Sequence, residues 1–419
     1  MRKLLENVSF LSISQALSYG VPLLTIPVLI RAFGTDGFGR YTLSLAVSLF
    51  LQIPMEYGFN LTATRQAARI RENRIELNSL FWSVFWTKAA IGVAAGIVVA
   101  IFVRFVPTLN VLSDSIFLAC AGAFIAAFFP TWLLQGLENF KSLALVNSLW
   151  KIINGVFIVF LIRSPSQIPL LLGFCAATSL LFVVLAHLPA LDSFSARMEL
   201  PTLGIIQNQL SEGLKVFLSQ VGFLLYANTN VFLLSVLSDQ FSVGAYAIAE
   251  KIIRAASMMT YAISQAIFPI STRKFSQDAL EGLLFIQKAL SLSTPLVFGG
   301  CVILFAFPSE IVRLASGEAN DIASQSLRIL AFAPLSIFLA NTFGSQILLS
   351  KGKDNDYLAG TLISGVFSLA LQSLLLIPKF SALGASAGLF ISETIILLFY
   401  VYRVNKYFGE IYFRKRHSA

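Results

Sequence analysis

The sequence predicts an all-α polytopic membrane protein, for two reasons: its composition and the length of its apolar stretches. Hydrophobic residues make up 57% of the 419 residues and charged residues only 12%, and the mean hydropathy is +0.79. Soluble domains are about half apolar and about one quarter charged, so this composition excludes a soluble fold. A transmembrane helix needs about 20 apolar residues, and the chain has room for about twelve such helices joined by short connections.

Hydrophilic residues between the apolar stretches mark where each helix should begin and end. The chain starts with Met1, Arg2 and Lys3 before an apolar stretch, as a signal peptide does, but it lacks a small-residue cleavage pattern. We therefore interpret this segment as an uncleaved first span. The predicted spans are 10–31, 40–61, 80–103, 114–134, 143–162, 168–188, 214–237, 243–268, 286–307, 326–349, 357–377 and 382–402.

The distribution of Lys and Arg predicts the orientation of these spans. When the gaps are assigned alternately to the two sides of the membrane, 19 of the 30 basic residues lie on the side of both termini, 6 lie on the other side and 5 lie inside spans. Cytoplasmic loops carry the excess of positive charge in membrane proteins. Both termini are therefore expected in the cytoplasm.

The longest hydrophilic gap lies at the centre of the chain and indicates two halves. A Gly-x-Tyr pattern opens both the second and the eighth predicted span, at Gly39 and Gly244. A repeat after six helices predicts two pseudo-symmetric lobes with the same orientation in the membrane. The expected organisation is an amino-terminal six-helix lobe at 1–190, a cytoplasmic linker at 191–213, a carboxyl-terminal six-helix lobe at 214–404 and a cytoplasmic tail at 405–419.

Side chains for metal binding or catalysis are scarce. Cysteine occurs three times, in separate apolar stretches and without paired spacing, and histidine occurs twice. Zinc sites and Ser-His-Asp centres need several such side chains together. We therefore expect no metal, no cofactor and no enzymatic activity. The residues concerned are Cys120, Cys175, Cys301, His187 and His417.

The net charge of +9 could indicate a nucleic-acid partner. Nucleic-acid-binding proteins gather their basic residues on one face of a domain. Here the basic residues are scattered through short hydrophilic gaps, so we interpret them as a topology signal and expect no nucleic acid.

Three stretches of the chain carry a resemblance through their order and spacing. Residues 56–65 close the second predicted span, residues 130–138 close the fourth, and residues 243–251 open the eighth. They resemble signature segments of Wzx-type polysaccharide flippases, which belong to the multidrug/oligosaccharidyl-lipid/polysaccharide (MOP) exporter superfamily. Glu56 stands where many relatives have Asp, which preserves the charge but lengthens the side chain.

This resemblance implies a fold and a function. The implied fold is two six-helix lobes around a central cavity that alternates its opening. The implied function is movement of an undecaprenyl-pyrophosphate-linked oligosaccharide, such as an O-antigen repeat unit, from the cytoplasmic to the periplasmic face of a bacterial inner membrane. Expected partners are that glycan, the lipid bilayer, and the polysaccharide polymerase and chain-length machinery.

A flippase of this kind needs a hydrated, cationic cavity, because a pyrophosphate cannot leave water for hydrocarbon without a large cost in free energy. The candidate substrate-binding cations within spans are Lys88, Lys151, Lys251 and Arg254. Lys251 and Arg254 share one helical face with Glu250. The alternative is that Glu250 and Arg254 only neutralise each other as a buried pair.

Polar side chains and carboxylates complete the candidate site. Asn228 and Asn230 in the seventh span could bind sugar hydroxyls or join helices. Arg31 near the outer end of the first span could anchor the helix at the interface or contact substrate at the exit. The candidate ion-coupling or gating carboxylates are Glu56, Glu250 and Glu393.

Three other functions remain open. A multidrug exporter or a lipid II flippase of the same superfamily would share the two-lobe architecture. An O-antigen polymerase or ligase, which is a polytopic enzyme, would resemble this chain less, because the predicted exported loops are short.

Overall fold

The computed structural model describes residues 2–193 and 198–416, and within those ranges it contains helices and no strand. The predicted all-α polytopic fold is confirmed. His417 and the central linker residues 194–197 lie outside the described residues.

The described residues of the first half of the chain form nine α-helices. Two 3-10 turns, Pro165–Gln167 and Leu188–Ser193, flank α8. The helices are α1 (Arg2–Glu56), α2 (Phe59–Ile70), α3 (Arg74–Phe105), α4 (Pro107–Asn110), α5 (Ser113–Ala126), α6 (Thr131–Gly136), α7 (Phe140–Leu161), α8 (Ile168–His187) and α9 (Leu203–Ala227).

The second half contains eight α-helices and two π-helical segments, Thr342–Leu348 and Gln372–Leu376, with a 3-10 turn at Leu349–Lys351. The helices are α10 (Thr229–Leu237), α11 (Gln240–Gln277), α12 (Ala279–Ala306), α13 (Pro308–Ser316), α14 (Asp321–Leu330), α15 (Ala333–Asn341), α16 (Asp354–Leu371) and α17 (Ile377–Arg416).

Eight helical stretches among the described residues are long and apolar enough to cross a membrane. Two of them, Gly20–Ile70 and Asp354–Phe408, contain 51 and 55 residues, more than two spans of about 20 residues require. Each contains a break at a residue with positive φ near its middle, Gly34 at 67° in the first and Ser381 at 52° in the second. These breaks lie where the sequence predicts loops.

The predicted seventh and eighth spans are helical but are not among those eight stretches. The predicted seventh span is broken at Asn228, which separates α9 from α10. The count of twelve spans therefore stays a prediction.

The chain divides into two compact units, Met1–Gln220 and Val221–Ala419, called here the amino-terminal and carboxyl-terminal units. The division lies within α9, and the predicted lobe and linker boundaries stay predictions.

Within the amino-terminal unit, the end of the predicted linker packs against earlier helices. Asn78 donates a hydrogen bond to Glu199 at 2.7 Å and Gln66 donates one to Glu212 at 2.8 Å.

Side-chain caps explain where several helices begin. Asn73 accepts hydrogen bonds from the backbone amides of Ile75 and Glu76 at the start of α3, and Asp239 accepts one from Ser242 at the start of α11. Such caps satisfy amides that have no partner inside the helix. Short polar sequences thus set the helix starts in an otherwise apolar chain.

A buried amide stabilises the first π-helical segment. Gln346 accepts a hydrogen bond from the Ser271 hydroxyl and donates one to the Ser264 carbonyl, both at 2.8 Å. Both serines belong to α11, so Gln346 ties this segment to α11. A π-helical turn is an interruption of the regular α-helix, and here the two hydrogen bonds of Gln346 connect it to α11.

The orientation of the chain can be tested by cysteine labelling. In a protein with Cys120, Cys175 and Cys301 replaced, we expect a membrane-impermeant maleimide to label Ser381→Cys in intact cells. Lys353→Cys should react only after the membrane is permeabilised, because the excess of basic residues places its loop in the cytoplasm. Labelling of both positions from the same side would contradict the predicted topology.

Candidate functional site

Arg254 lies at the centre of a polar cluster in the carboxyl-terminal unit. Its Nε and Nη2 atoms donate hydrogen bonds to Oε1 of Glu250 at 3.0 and 2.7 Å. Nη2 also donates to Oδ1 of Asn228 at 3.1 Å. Glu250 and Arg254 are one turn apart on α11, the spacing at which oppositely charged side chains meet.

The two charges of this pair differ in exposure. The Arg254 side chain is 43% exposed, whereas the Glu250 side chain is 9% exposed. The carboxylate therefore acts as a buried anchor for an accessible guanidinium. Lys251, on the same turn, is half-buried. The ion pair between Glu250 and Arg254, which was the alternative to substrate binding, is present. The predicted roles of Lys251 and Arg254 in substrate binding stay predictions.

Asn230 and Tyr246 extend the cluster by one turn towards the start of α11. Both residues are buried, and the Asn230 amide donates a hydrogen bond to the Tyr246 hydroxyl at 2.9 Å. Asn230 Oδ1 is also buried and has no hydrogen-bond partner in the described part of the chain. In this structure Asn228 and Asn230 join α10 to α11, which is the helix-joining alternative for these amides.

Glu393 lies on α17, which packs against α10 and α11. It is 6% exposed, and no described residue donates a hydrogen bond to its carboxyl group. A buried carboxyl without a donor is costly in its charged form. This environment would suit a group that binds a proton, and the predicted coupling role of Glu393 stays a prediction.

Lys88 is placed differently from the other embedded cations. It is 3% exposed, and its ammonium donates a hydrogen bond to the Ala127 carbonyl at 2.7 Å. Ala127 follows the last residue of α5, where backbone carbonyls lack partners within the helix. Lys88 thus stabilises the end of α5, and its predicted contact with substrate stays a prediction.

Lys151 is only half-buried on α7, and its ammonium lies 5.1 Å from the centre of the Trp150 ring. An aromatic face attracts a cation. Arg31 is exposed on α1, three residues before the break at Gly34. Neither position tests the predicted substrate contacts of these two residues.

Glu56 ends α1 at a sharp break in the chain. Gln52 and Asn60 donate hydrogen bonds to its two carboxylate oxygens at 3.4 and 3.1 Å. Tyr57 and Gly58 follow with φ values of 38° and 79°, and α2 begins at Phe59. The amide partners were not expected from the sequence, although their spacing of four residues on either side of Glu56 was a signal for them.

Two of the three resemblance stretches pack against each other in the amino-terminal unit. The Thr64 hydroxyl donates a hydrogen bond to the Trp132 carbonyl at 3.2 Å. A Cβ added at Gly136 would lie 2.6 Å from Cβ of Ala67, so α6 meets α2 at a contact that only glycine permits. Arg71 and Glu138 add an ion pair at 3.0 Å. The third stretch opens α11 and is buried from Val243 to Glu250.

Among the described residues, no three His, Cys, Asp or Glu side chains come together as metal ligands would. The polar atoms in the cluster around Arg254 are amides, one hydroxyl, one carboxylate and one guanidinium. These groups can bind an anion or a hydroxyl-rich ligand through hydrogen bonds.

The family match and two similar proteins carry names from polysaccharide biosynthesis or O-antigen transport. Residues 4–275 match the family described as "Polysaccharide biosynthesis protein". A protein of Escherichia coli (strain K12) named "Putative O-antigen transporter" is 28% identical over 96% of this chain and 97% of its own length. A protein of the same name from Shigella dysenteriae is 24% identical over 94% of this chain and 98% of its own length.

Solved structures share the fold at low sequence identity. An inward-facing multidrug resistance MATE family transporter of the MOP superfamily superposes with a TM-score of 0.72 and 16% identity, covering 96% of this chain and 98% of its own. The lipid II flippase MurJ in an inward closed conformation superposes with a TM-score of 0.73 and 15% identity. This match covers 95% of this chain and 87% of the MurJ chain. Because the family match covers more than half of the chain, this multi-pass membrane protein belongs to the polysaccharide biosynthesis protein family, and its resemblance to the Wzx-type flippases of the MOP superfamily is confirmed.

Proposed function

We propose that this protein moves an undecaprenyl-pyrophosphate-linked oligosaccharide, an O-antigen or related repeat unit, from the cytoplasmic to the periplasmic face of a bacterial inner membrane. The names of its relatives support an exported glycan. The proposed movement is alternating access, with both termini in the cytoplasm. The protein acts as a transporter and not as an enzyme, because flipping a lipid-linked glycan breaks no bond.

The observation that carries this proposal is the accessible guanidinium of Arg254 on a buried anchor. Glu250 and Asn228 hold one side of the fork, and almost half of the side chain is exposed. A guanidinium can donate charge-assisted hydrogen bonds to phosphate oxygens. Lys251 adds a second positive charge on the same turn. Within a membrane-spanning unit, such cations suit an anionic headgroup.

The driving force follows from the charge of the substrate. Moving one charge through a membrane potential of 100 mV is worth about 2.3 kcal/mol, and a potential that is negative inside favours outward movement of an anion. Coupling to an ion at Glu56 or Glu393 is therefore not required for net export.

Reconstitution tests the proposal. We expect vesicles that contain the purified protein to expose an undecaprenyl-pyrophosphate oligosaccharide from the host to an external glycosidase. Protein-free vesicles should protect the part of the glycan on the inner leaflet. Movement of lipid II or of a cationic dye instead of the oligosaccharide would contradict the proposal and favour the other branches of the superfamily.

The same vesicles test the driving force. A membrane potential that draws the anion outward should accelerate export, and Glu393→Gln should retain most of the wild-type rate. Loss of export in Glu393→Gln, with recovery in Glu393→Asp, would instead indicate an obligatory ion-binding carboxylate.

A further inference from the structure

Helix α7 of the amino-terminal unit carries polar residues on one face and apolar residues on the other. Asn147, Trp150, Lys151 and Asn154 lie within an arc of about 100° on a helix of 3.6 residues per turn, and all four are half-buried. The residues of the opposite face are exposed and apolar, as contact with lipid tails requires. They are Leu145, Leu149, Ile152, Ile153 and Val156. We call the four half-buried residues the α7 polar face.

The α7 polar face points towards the interior of its own unit. Asn147 donates to the hydroxyls of Ser14 and Ser18 on α1 at 3.3 and 3.4 Å. Asn154 accepts a hydrogen bond from the Thr178 hydroxyl on α8 at 3.1 Å. A Cβ added at Gly155 would lie 2.5 Å from Cγ1 of Val21, so α7 crosses α1 closely just beyond this face.

The tryptophan and the lysine distinguish this face from an ordinary contact between helices. The ring of Phe129 stacks on Trp150 at 6.0 Å, which fixes the orientation of the indole. Lys151 has no carboxylate partner in the part of the chain that the structure describes, and its ammonium rests near the indole. Joining helices would not require an ammonium without a carboxylate partner, because such a charge is costly in hydrocarbon.

We propose that the α7 polar face binds the sugar part of the lipid-linked substrate. Sugar hydroxyls donate and accept hydrogen bonds, and amides can do both. Asn154 also donates to the Trp150 carbonyl at 2.9 Å, so a bound sugar would exchange with or add to the contacts that these amides make within the unit. An indole offers a rigid apolar surface with one polar edge, which matches a sugar ring with its C–H and hydroxyl groups. Lys151 supplies further donors, with a preference for a ring that carries an anionic group.

This inference rests on the proposed function, since it assumes a lipid-linked glycan as the substrate. It concerns the sugars of that substrate and not its pyrophosphate. Changes in the α7 polar face should therefore affect recognition of the glycan and leave recognition of the carrier lipid unchanged.

Binding measurements on the full-length protein in lipid nanodiscs test this inference. The two probes are undecaprenyl pyrophosphate without sugars and the same lipid carrying the oligosaccharide of the host. We expect wild-type protein to bind the sugar-bearing lipid more tightly. Asn147→Leu and Asn154→Leu should each weaken that binding by about threefold to tenfold, the value of one hydrogen bond, without a change for the sugar-free lipid.

Asn110→Leu, at an exposed position on α4, is the matched control and should change neither affinity. Trp150→Phe should lose part of the sugar-dependent affinity while keeping its melting temperature. Equal weakening for both lipids, or a lower melting temperature with unchanged selectivity, would overturn the inference and leave these residues as contacts between helices. Wild-type protein that binds neither lipid would instead contradict the proposed function itself.

Discussion

Replacing Arg254 by Gln is expected to reduce export of the lipid-linked oligosaccharide by about tenfold or more, because a hydrogen bond to a charged group contributes about 1.5 to 3 kcal/mol. Lys251→Gln should reduce export as well, since it removes the second positive charge of the same turn. Arg254→Lys should be partly active, because it keeps the charge but loses the planar fork. The measurement is glycan export in cells that lack their own flippase, at matched protein levels.

A loss of export in Arg254→Gln could come from lost pyrophosphate binding or from lost stability. The buried position of Glu250 allows the two explanations to be separated. Arg254→Gln leaves the Glu250 carboxylate buried without its partner, which is destabilising in itself. The double variant Glu250→Gln with Arg254→Gln removes that unpaired charge. Export should stay low in the double variant if Arg254 binds pyrophosphate, even when the melting temperature recovers. Recovery of export in the double variant would refute the binding role.

Gly58→Ala is expected to lower the stability of the protein by about 2 to 5 kcal/mol and to reduce export. Gly58 has a φ of 79°, and a left-handed conformation costs an L-residue about 1 to 2 kcal/mol. A Cβ at this position would also lie 2.8 Å from Cβ of Val216 on α9. Crowding of this kind adds about 1 to 3 kcal/mol. The measurement is the melting temperature in detergent.

Two further variants separate the two contributions. Gly204→Ala, in the first turn of α9 where an added Cβ would have no atom within 4 Å, should leave the melting temperature unchanged or raise it. Val216→Ala combined with Gly58→Ala should recover only the part of the crowding that is due to Cγ1 of Val216, which also lies 2.8 Å from the added Cβ, and not the part due to φ. An unchanged melting temperature in Gly58→Ala would show that the break after α1 tolerates a side chain.

The importance of this break comes from what it positions. Gly58 separates α1 from α2, and α9 crosses the break closely enough that a Cβ on Gly213 would lie 2.8 Å from the Tyr57 carbonyl. The Tyr57 ring stacks on Phe217 of α9 at 4.6 Å. The direction of α2, and with it the contact between α2 and α6, therefore depends on two glycines that are far apart in the chain.

The sequence by itself determined the class of the protein and the identity of the candidate residues. Composition and the length of apolar stretches require a polytopic helical membrane protein, because hydrocarbon leaves few alternatives for the backbone. A charge within an apolar stretch is visible in the sequence, which identified Lys151, Arg254 and Glu393. The spacing of four residues also offered the contact between Glu250 and Arg254 as an alternative, because such contacts are local.

Contacts between residues that are far apart in the chain were decided only by the tertiary structure. Lys88 bonds to the Ala127 carbonyl, 39 residues away, and Thr64 bonds to the Trp132 carbonyl, 68 residues away. No periodicity encodes such pairs, because they depend on how helices cross. The same reason explains why the α7 polar face was not recognised from the sequence: its residues become a surface only when α1 and α8 pack beside them.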